Sequence, residues 1–538
     1  MKRFISIFMV AMVTMATSCL QENPRDQLYE DDIYSNANNI YVNAVAVLYN
    51  YIGGSADSEG LQGTCRGIYD YNTLTTDEAM IPIRGGDWYD GGLWENMYQH
   101  KWTPDDLPLY NTWKYLYKVV VLSNKSLFVI DKYSHCLTPG QRMSYEAEVR
   151  AIRALFYYYI MDMYGRVPLV TSYNEGQSDV VQSERSEVFR FIVDELQEVV
   201  GLLSNERSNK MGDYYGRITA PVVHFLLAKL ALNAEIYSDD NWTDGLRQDG
   251  KEILFTVDDE QLNAWETCVK YCDKLAAAGY MLEDDYSYNF AVHNENSDEN
   301  IFTIPLDKNF YAAQFWYLFR SRHYNHGGAL GGSSENGTCA CVSTVLANGY
   351  GTDNVDVRFE KNFYAGIVLV DGKTVMQDNG KPLEYMPLEL KLNLTGSPYV
   401  KNAGARMAKY EVDRTSHSDG RQPDNDIVLF RYADVLLMKA EAKVRNGEDG
   451  SWELNEVRSR VGMPYRDATL ENILEERLLE LVWEGWRRQD LVRFDLYHKS
   501  YDQRKQLPNE ENGYTTVFPI PQKSIDLNPR LKQNVGYK

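Results

Sequence analysis

Apolar residues recur every three to four positions over most of residues 41–278 and 430–494, and this spacing is typical of amphipathic α-helices. The pattern predicts helices over residues 41–51, 109–130, 138–164, 186–203, 219–237, 262–278, 430–447 and 472–494. Consecutive amphipathic helices bury their apolar faces on one another. The pattern therefore favours a mostly helical protein, although it carries no strict repeat of fixed length.

Residues 430–447 show the helical pattern most clearly. The apolar face carries Ala433, Leu436, Leu437, Ala440 and Val444, and the polar side carries Asp434, Lys439 and Lys443. Small alanines on the apolar face let another helix approach closely, so we expect a core helix here. Gly447 stands where a C-cap glycine belongs. Thr138 followed by Pro139 similarly predicts the start of helix 138–164.

Two irregular regions interrupt the helical pattern, at residues 60–102 and 289–410. Residues 300–304 alternate like an edge strand, and residues 367–370 and 373–376 flank Asp371-Gly372, which predicts a two-residue hairpin. Long loops on a rigid helical scaffold are where binding sites usually lie. We therefore expect the second region to be a functional insertion.

The start of the chain has the order of a lipoprotein signal peptide. Lys2 and Arg3 precede a short apolar stretch, residues 4–15, and then Ala16-Thr17-Ser18-Cys19. Ala16 replaces the large aliphatic residue that is usual three places before the cysteine. We expect residues 1–18 to be removed and Cys19 to be lipidated. An ordinary signal peptide cut nearby is the alternative.

The amino-acid composition excludes some classes of binding partner and leaves others open. The net charge of −22 argues against a nucleic-acid partner. The 40 tyrosines and 10 tryptophans suit helix packing, and they equally suit stacking against sugar rings. The cysteines beyond Cys19 have no zinc-site spacing, so we expect buried free thiols, with disulfides left open.

Paired carboxylates would be needed for a glycosidase. Glu480 and Glu484 lie among several arginines, so we expect a structural ion network that keeps their pKa low. Asp77-Glu78 and the Asp87/Asp90 pair lie in an aromatic loop, where they would serve catalysis or equally bind sugar hydroxyls. Nothing places two carboxylates face to face, so we assign no catalytic residue. Eight histidines make a metal cluster improbable, and we assign no metal site.

Three ordered motifs near the C-terminus resemble the SusD/RagB family of outer-membrane glycan-binding lipoproteins. They are Arg431-Tyr432-Ala433-Asp434, the run Glu475-Glu476-Arg477 through Arg493, and Pro519-Ile520-Pro521 followed by Asn528-Pro529 and Gln533-Asn534. Arg153-Ala154 through Val170 resembles a further pattern of this family. Arg488-Gln489 departs from the aromatic that the family usually has there.

The resemblance implies a SusD-like fold. This fold is mostly α, with tetratricopeptide-like helix pairs plus an irregular, loop-rich region with short strands. We expect a single domain over residues 19–538. Its N-terminal helical scaffold spans about 36–285, and the loop-rich insertion and C-terminal part span about 286–538.

The resemblance also implies a function. The protein would capture an oligosaccharide or polysaccharide at the cell surface, anchored in the outer membrane through Cys19, and deliver this nutrient to a SusC-like, TonB-dependent β-barrel transporter. No catalysis and no cofactor are expected, and a structural calcium ion is left open without a located site. Two alternatives stay open, an α-helical glycoside hydrolase and a surface scaffold that binds a peptide or protein.

The candidate ligand residues come from two separated loops. One loop supplies Trp88, Tyr89 and Trp94 with Asp87 and Asp90, and the other supplies Trp316, Tyr317 and Tyr324 with Asn336. Flat aromatics match the C–H faces of sugars, and short polar groups match their hydroxyl rims. Trp88 is the strongest candidate, because the glycines and aspartates around it disfavour a core role. The alternative is that these aromatics pin the loops onto the helices.

Overall fold

The computed structural model of the protein describes residues 30–173, 180–310, 316–416 and 423–537, without the side chains of residues 316–318. Cys19 lies outside this part of the chain. Helices dominate the described residues, and the strands are short. This architecture confirms the mostly α prediction with a loop-rich region. No helix in the described ranges is long and apolar enough to cross a bilayer.

The first group of helices forms the N-terminal scaffold. It comprises α1 (Glu30–Ile33), α2 (Ala37–Ile40), α3 (Val47–Gly53), α4 (Ile68–Thr73), α5 (Leu93–Tyr98), α6 (Leu107–Lys132), α7 (Pro139–Tyr164), α8 (Arg185–Val200), α9 (Ala220–Leu232), α10 (Ala234–Tyr237) and α11 (Ala264–Ala277). A π-helical turn, Tyr41–Ala46, joins α2 to α3.

The second group lies in the loop-rich and C-terminal parts. It comprises α12 (Trp316–Ser321), α13 (Tyr324–Ala329), α14 (Val342–Ala347), α15 (Phe359–Asn362), α16 (Tyr432–Asn446), α17 (Ser451–Arg460), α18 (Leu470–Leu481), α19 (Arg487–Arg493) and α20 (Gln522–Leu527).

Helices of the scaffold pack on one another and on one helix of the second group. Helix α6 packs on α7, α7 on α8, α9 on α11, and α11 on α16. Caps fix several of the ends: Thr138 and Gln141 form a capping box at α7, and Asn263 with Glu266 forms one at α11. Gly447 ends α16 in the left-handed region, as predicted.

The strands form two-stranded antiparallel pairs. They are β1 (Ala79–Met80) with β7 (Cys339–Ala340), β2 (Val167–Pro168) with β3 (Gln182–Ser183), β4 (Leu254–Val257) with β5 (Glu260–Asn263), β6 (Asn300–Ile304) with β14 (Ile427–Arg431), β8 (Phe363–Tyr364) with β13 (Arg406–Met407), β9 (Gly366–Ile367) with β12 (Glu384–Tyr385), and β10 (Leu369–Val370) with β11 (Lys373–Thr374). The β10–β11 hairpin was predicted, and Asp371 and Gly372 at its turn both have positive φ.

Strand β6 lies at the edge of a two-stranded sheet, as its alternation predicts, but all five of its residues are buried. Its polar side chains find partners inside the protein. The Thr303 hydroxyl donates to Asp426 at 3.1 Å, and the Asn300 amide donates to the Asn289 carbonyl at 3.1 Å. Burial of polar groups is tolerated where such bonds satisfy them.

The predicted helix 472–494 is interrupted between α18 and α19. Trp483 has φ +71 and Gly485 has φ +76, so the backbone turns sharply there. Glu484 lies inside the break and binds both Lys409 and Arg431. The expected ion network is therefore present and is entirely buried.

Asp434 corrects the expectation that it lies on a wet side of its helix. It is 1% exposed and binds Lys229 at 2.6 Å and Arg477 at 2.7 Å. The described cysteines beyond Cys19 are free, and all of them except Cys136 are buried.

Candidate functional site

Two chain segments that are distant in sequence meet in the loop-rich part of the protein. We call residues 84–94 segment A and residues 322–337 segment B. The Tyr324 hydroxyl of segment B donates to Asp87 Oδ2 of segment A at 3.1 Å. The Trp88 indole N–H donates to the Glu335 carbonyl at 2.9 Å. The structure therefore brings the first aromatic loop that the sequence singles out together with the part of the second loop that carries Tyr324 and Asn336.

Trp88 fills the space between the two segments. Its φ is +64, an uncommon value for a bulky residue, and its ring is half-buried. The ring packs directly on Gly337, where an added Cβ would come within 2.6 Å of it. It also meets the Trp94 ring edge-on, with centroids 6.0 Å apart. Trp88 is thus partly a structural residue as well as a candidate ligand residue.

Trp94, the last residue of segment A, lies in the core, so its predicted role as a ligand contact is wrong. The residue is 1% exposed, and its indole N–H donates to Asp90 at 2.8 Å. The guanidiniums of Arg66 and Arg320 each lie 5.5 Å from its ring centroid. Neither face of the Trp94 ring is accessible to a ligand, because core residues and these two guanidiniums surround the ring.

Asn336 is also a support rather than a ligand contact. It is fully buried with φ +56, and its amide donates to the Lys401 carbonyl at 3.0 Å. Among the residues that the structure describes, its side-chain oxygen has no hydrogen-bond partner. Helix α12 begins at Trp316, but the side chains of Trp316 and Tyr317 lie outside the described residues.

The accessible groups of the site are two tyrosines and two ion pairs. Tyr89 is 57% exposed and Tyr324 is 41% exposed. Asp87 pairs with Lys401 at 2.9 Å, and Asp90 pairs with Arg66 at 2.9 Å. These pairs offer both donors and acceptors beside exposed aromatic faces.

Local charges fix the protonation of the groups in the site. The hydrogen bond from Lys401 holds the pKa of Asp87 below its usual range, so this carboxylate is ionised at neutral pH. Burial, followed by the nearby Asp87 charge, raises the pKa of Tyr324 to about 12. Tyr324 therefore stays neutral and acts as a donor to Asp87. Lys401 was missed by sequence reasoning, since no local motif marks it.

Two buried arginines hold the floor of the site. Arg84 donates to the carbonyls of Val400 at 2.8 Å and Ala403 at 2.9 Å, and Arg406 lies 5.0 Å from the Tyr385 ring centroid. Both guanidiniums also contact the Cys339 sulfur, at 3.0 and 2.9 Å. These contacts link segment A to the stretch of residues around Lys401. The two buried arginines therefore position the exposed groups but do not themselves contact a ligand.

A separate cavity of about 860 Å³ has walls from other parts of the chain. Tyr41, Tyr49, Tyr215, Arg217 and Phe310 line it, and no residue of segment A or segment B does. Phe310 is 89% exposed at its edge. The cavity was not predicted, because Tyr41 and Tyr49 were assigned only to a helix.

The carboxylates that the sequence offers as catalytic candidates are paired with cations or buried. Asp77 pairs with Arg487 at 2.7 Å, as Asp87 and Asp90 pair with their cations. Glu78 is 1% exposed and burial raises its pKa to about 8, but it accepts a hydrogen bond from the Trp483 backbone N–H inside the core. Burial alone would raise the pKa of Glu480, but Arg460 and its neighbouring arginines outweigh it and hold the pKa well below its usual range. The arrangement favours binding over acid–base chemistry.

Comparison with curated proteins shows related chains over most of this sequence. The starch-binding protein SusD of Bacteroides thetaiotaomicron is 23% identical over 536 residues, which cover 90% of this chain and 89% of that protein. A SusD-like protein of Bacteroides ovatus is 24% identical, with 80% and 74% of the two chains covered.

Solved structures share the fold. A SusD superfamily protein from Bacteroides vulgatus superposes with a TM-score of 0.70 and 17% identity, covering 94% of this chain and 100% of that one. Surface glycan-binding protein A from Bacteroides thetaiotaomicron, in complex with laminarihexaose, gives a TM-score of 0.69 and 20% identity, with 92% and 99% covered.

Two family models match separate parts of the chain. Residues 298–537 match the model of the SusD family, and residues 62–232 match a SusD-like model described as starch-binding and associating with the outer membrane. The three motifs noted near the C-terminus lie inside the first match. The chain therefore belongs to the SusD/RagB family.

Proposed function

We propose that this protein binds an oligosaccharide at the cell surface, on the face formed by segments A and B. The observation that carries the proposal is the Asp87–Tyr324 and Trp88–Glu335 pairing, which joins two distant aromatic segments into one polar and aromatic surface. The family is a non-catalytic class of carbohydrate-binding proteins, which supports binding over hydrolysis.

The exposed groups match the two kinds of surface on a sugar. The ring faces of Tyr89 and Tyr324 would stack on apolar C–H faces, and the Asp87–Lys401 pair would exchange hydrogen bonds with hydroxyls. Because Arg84 and Trp88 hold the two segments from inside, little ordering would be needed when the ligand binds.

The wider setting is part of the same proposal. Lipidated Cys19 would anchor the protein to the outer membrane, and a SusC-like, TonB-dependent β-barrel would receive the glycan. The starch-binding and outer-membrane description of the model matching residues 62–232 supports the location. The transporter partner has the support of family resemblance alone.

The test is retention of oligosaccharides by the purified protein, with product analysis. We expect wild-type protein to retain one glycan class without releasing products, and Tyr324→Ala to weaken retention at least several-fold, since a stacked aromatic anchor contributes about 1–3 kcal/mol. Tyr465→Ala is the matched control, because Tyr465 is 69% exposed outside both segments.

Other outcomes would identify the alternatives. Released products would show a glycoside hydrolase, and no retention of any glycan would favour a peptide- or protein-binding scaffold. If Tyr324→Ala and Tyr89→Ala both bind normally while Phe310→Ala does not, the ligand lies in the 860 Å³ cavity and the proposed site is wrong.

A further inference from the structure

One exposed face of helix α6 carries lysines and apolar residues together. Lys114, Lys118, Lys125 and Lys132 recur along this helix, with Val121 and Phe128 between them. At 3.6 residues per turn these six positions fall within an arc of about 80°. All six side chains are exposed, Val121 at 49% and Phe128 at 42%. We call this face the lysine stripe.

The apolar part of the stripe extends beyond the helix. The Phe128 ring lies 5.6 Å from the ring of Tyr173, which is 43% exposed. Val121, Phe128 and Tyr173 thus form a small exposed apolar group beside the lysines. Lys114 and Lys125 have no carboxylate partner in the described ranges, where Lys114 instead lies 5.3 Å from the Tyr110 ring centroid. Their charge is therefore left for a partner, in a chain whose net charge is −22.

The N-terminal tether leaves the protein at one end of this stripe. Glu30 binds Lys132 at 3.0 Å, and Asp31 accepts the Tyr133 hydroxyl at 2.7 Å. The rings of Tyr34 and Tyr133 pack at a tilt of 32°, with centroids 5.1 Å apart. The chain from Cys19 to Glu30 spans at most about 40 Å when fully extended. An anchored Cys19 thus keeps the Lys132 end of the stripe within that distance of the membrane.

From this placement we propose that the lysine stripe lies on the membrane surface and binds anionic headgroups, as a second contact beside the lipid anchor. The proposal rests on the cell-surface location in the proposed function. Exposed lysines attract anionic headgroups, and exposed apolar side chains between them add buried area to a membrane contact. The stripe would turn the acidic remainder of the molecule away from the bilayer.

The experiment is vesicle co-sedimentation of the mature chain carrying Cys19→Ala, which contains every described residue but no lipid. Vesicles of phosphatidylglycerol and phosphatidylethanolamine are compared with pure phosphatidylcholine vesicles. We expect this parent chain to sediment with the anionic vesicles only. The Lys114→Glu/Lys125→Glu variant should bind at least about tenfold more weakly, because each lysine near an anionic surface adds a favourable electrostatic contribution to the free energy of binding. Val121→Ser/Phe128→Ser should also weaken binding.

A matched double reversal, Lys251→Glu/Lys505→Glu, changes the net charge equally at exposed lysines outside helix α6 and should leave binding unchanged. Unchanged circular dichroism and Tm in each variant show that the fold is intact. The proposal is overturned if the parent chain ignores anionic vesicles or if both double reversals bind alike. It is also overturned if a β-barrel co-purifies with the parent chain but not with the Lys114→Glu/Lys125→Glu variant. The stripe would then be a protein interface. Neither glycan retention nor Cys19 lipidation enters this assay, so failure of the proposed function is detected separately.

Discussion

Gly337 and Trp88 fit one another closely at the centre of the candidate site. A Cβ added at Gly337 would meet the Trp88 ring at 2.6–3.0 Å, and the indole is held there by its bond to Glu335. Contacts under 3.0 Å force something to move. Trp88 cannot give way freely, because it also packs on Trp94.

We therefore predict that Gly337→Ala weakens glycan retention and lowers the unfolding free energy by about 1–3 kcal/mol, the usual cost of overpacking. Gly328→Ala is the matched control in the same segment, since an added Cβ there meets nothing within 4 Å. Denaturant unfolding and glycan retention are measured for both variants. Equal behaviour of the two alanine variants would show that Trp88 does not join the segments.

Trp88→Ala should have a mixed effect for the same reason. The sequence pattern alone favours a freely exposed ring whose loss affects binding only. The half-buried ring and its bond to Glu335 instead predict that Trp88→Ala lowers both Tm and glycan retention. Comparison with Tyr89→Ala, which removes a 57% exposed ring, separates the two effects. We expect Tyr89→Ala to leave Tm near that of wild type.

At the scale of elements, the break between α18 and α19 places a carboxylate in the core. Glu484 is 3% exposed and binds Arg431 and Lys409, and burial lowers the pKa of Lys409 to about 8. Removing one partner of a buried ion pair leaves the other charge uncompensated, which typically costs 3–5 kcal/mol.

Glu484→Gln should therefore lower the unfolding free energy by about 3–5 kcal/mol. Glu475→Gln should cost less than about 1 kcal/mol, because Glu475 pairs with Arg466 at the surface and is 42% exposed. Chemical denaturation of the two variants against wild type measures both values. A loss of similar size in the two variants would mean that the break does not depend on its buried charge.

Local elements were predictable from sequence because their causes are local. The capping residues Thr138 and Gly447 and the Asp371-Gly372 turn all act within a few positions of themselves. The burial of Asp434 was not predictable, since its partner Lys229 is 205 positions away. In the site, the two aromatic loops were recognisable, but Lys401 and the burial of Trp94 depend on contacts that only the folded chain makes.

For the protein as a whole, lipid attached to Cys19 would determine where the binding face is located. The chain has a net charge of −22, and in the described ranges no helix can cross a bilayer. Under the proposed outer-membrane location, stable attachment would come from lipid on Cys19. It needs more than one acyl chain, since a single chain binds membranes only marginally. The segment from Cys19 to Glu30 would then act as a short tether.

We predict that Cys19→Ala releases most of the protein from the membrane fraction, while glycan retention by the released protein stays unchanged. The reason is that Cys19 lies outside both site segments, whereas removal of several acyl chains removes most of the membrane affinity. Cell fractionation, with mass spectrometry of the mature N-terminus, measures this. Ser18→Ala is the matched control, since it keeps a small residue before the cysteine and should leave attachment intact. An unmodified Cys19 in wild-type protein that still fractionates with membranes would contradict the prediction and leave the lysine stripe or a protein partner as the attachment.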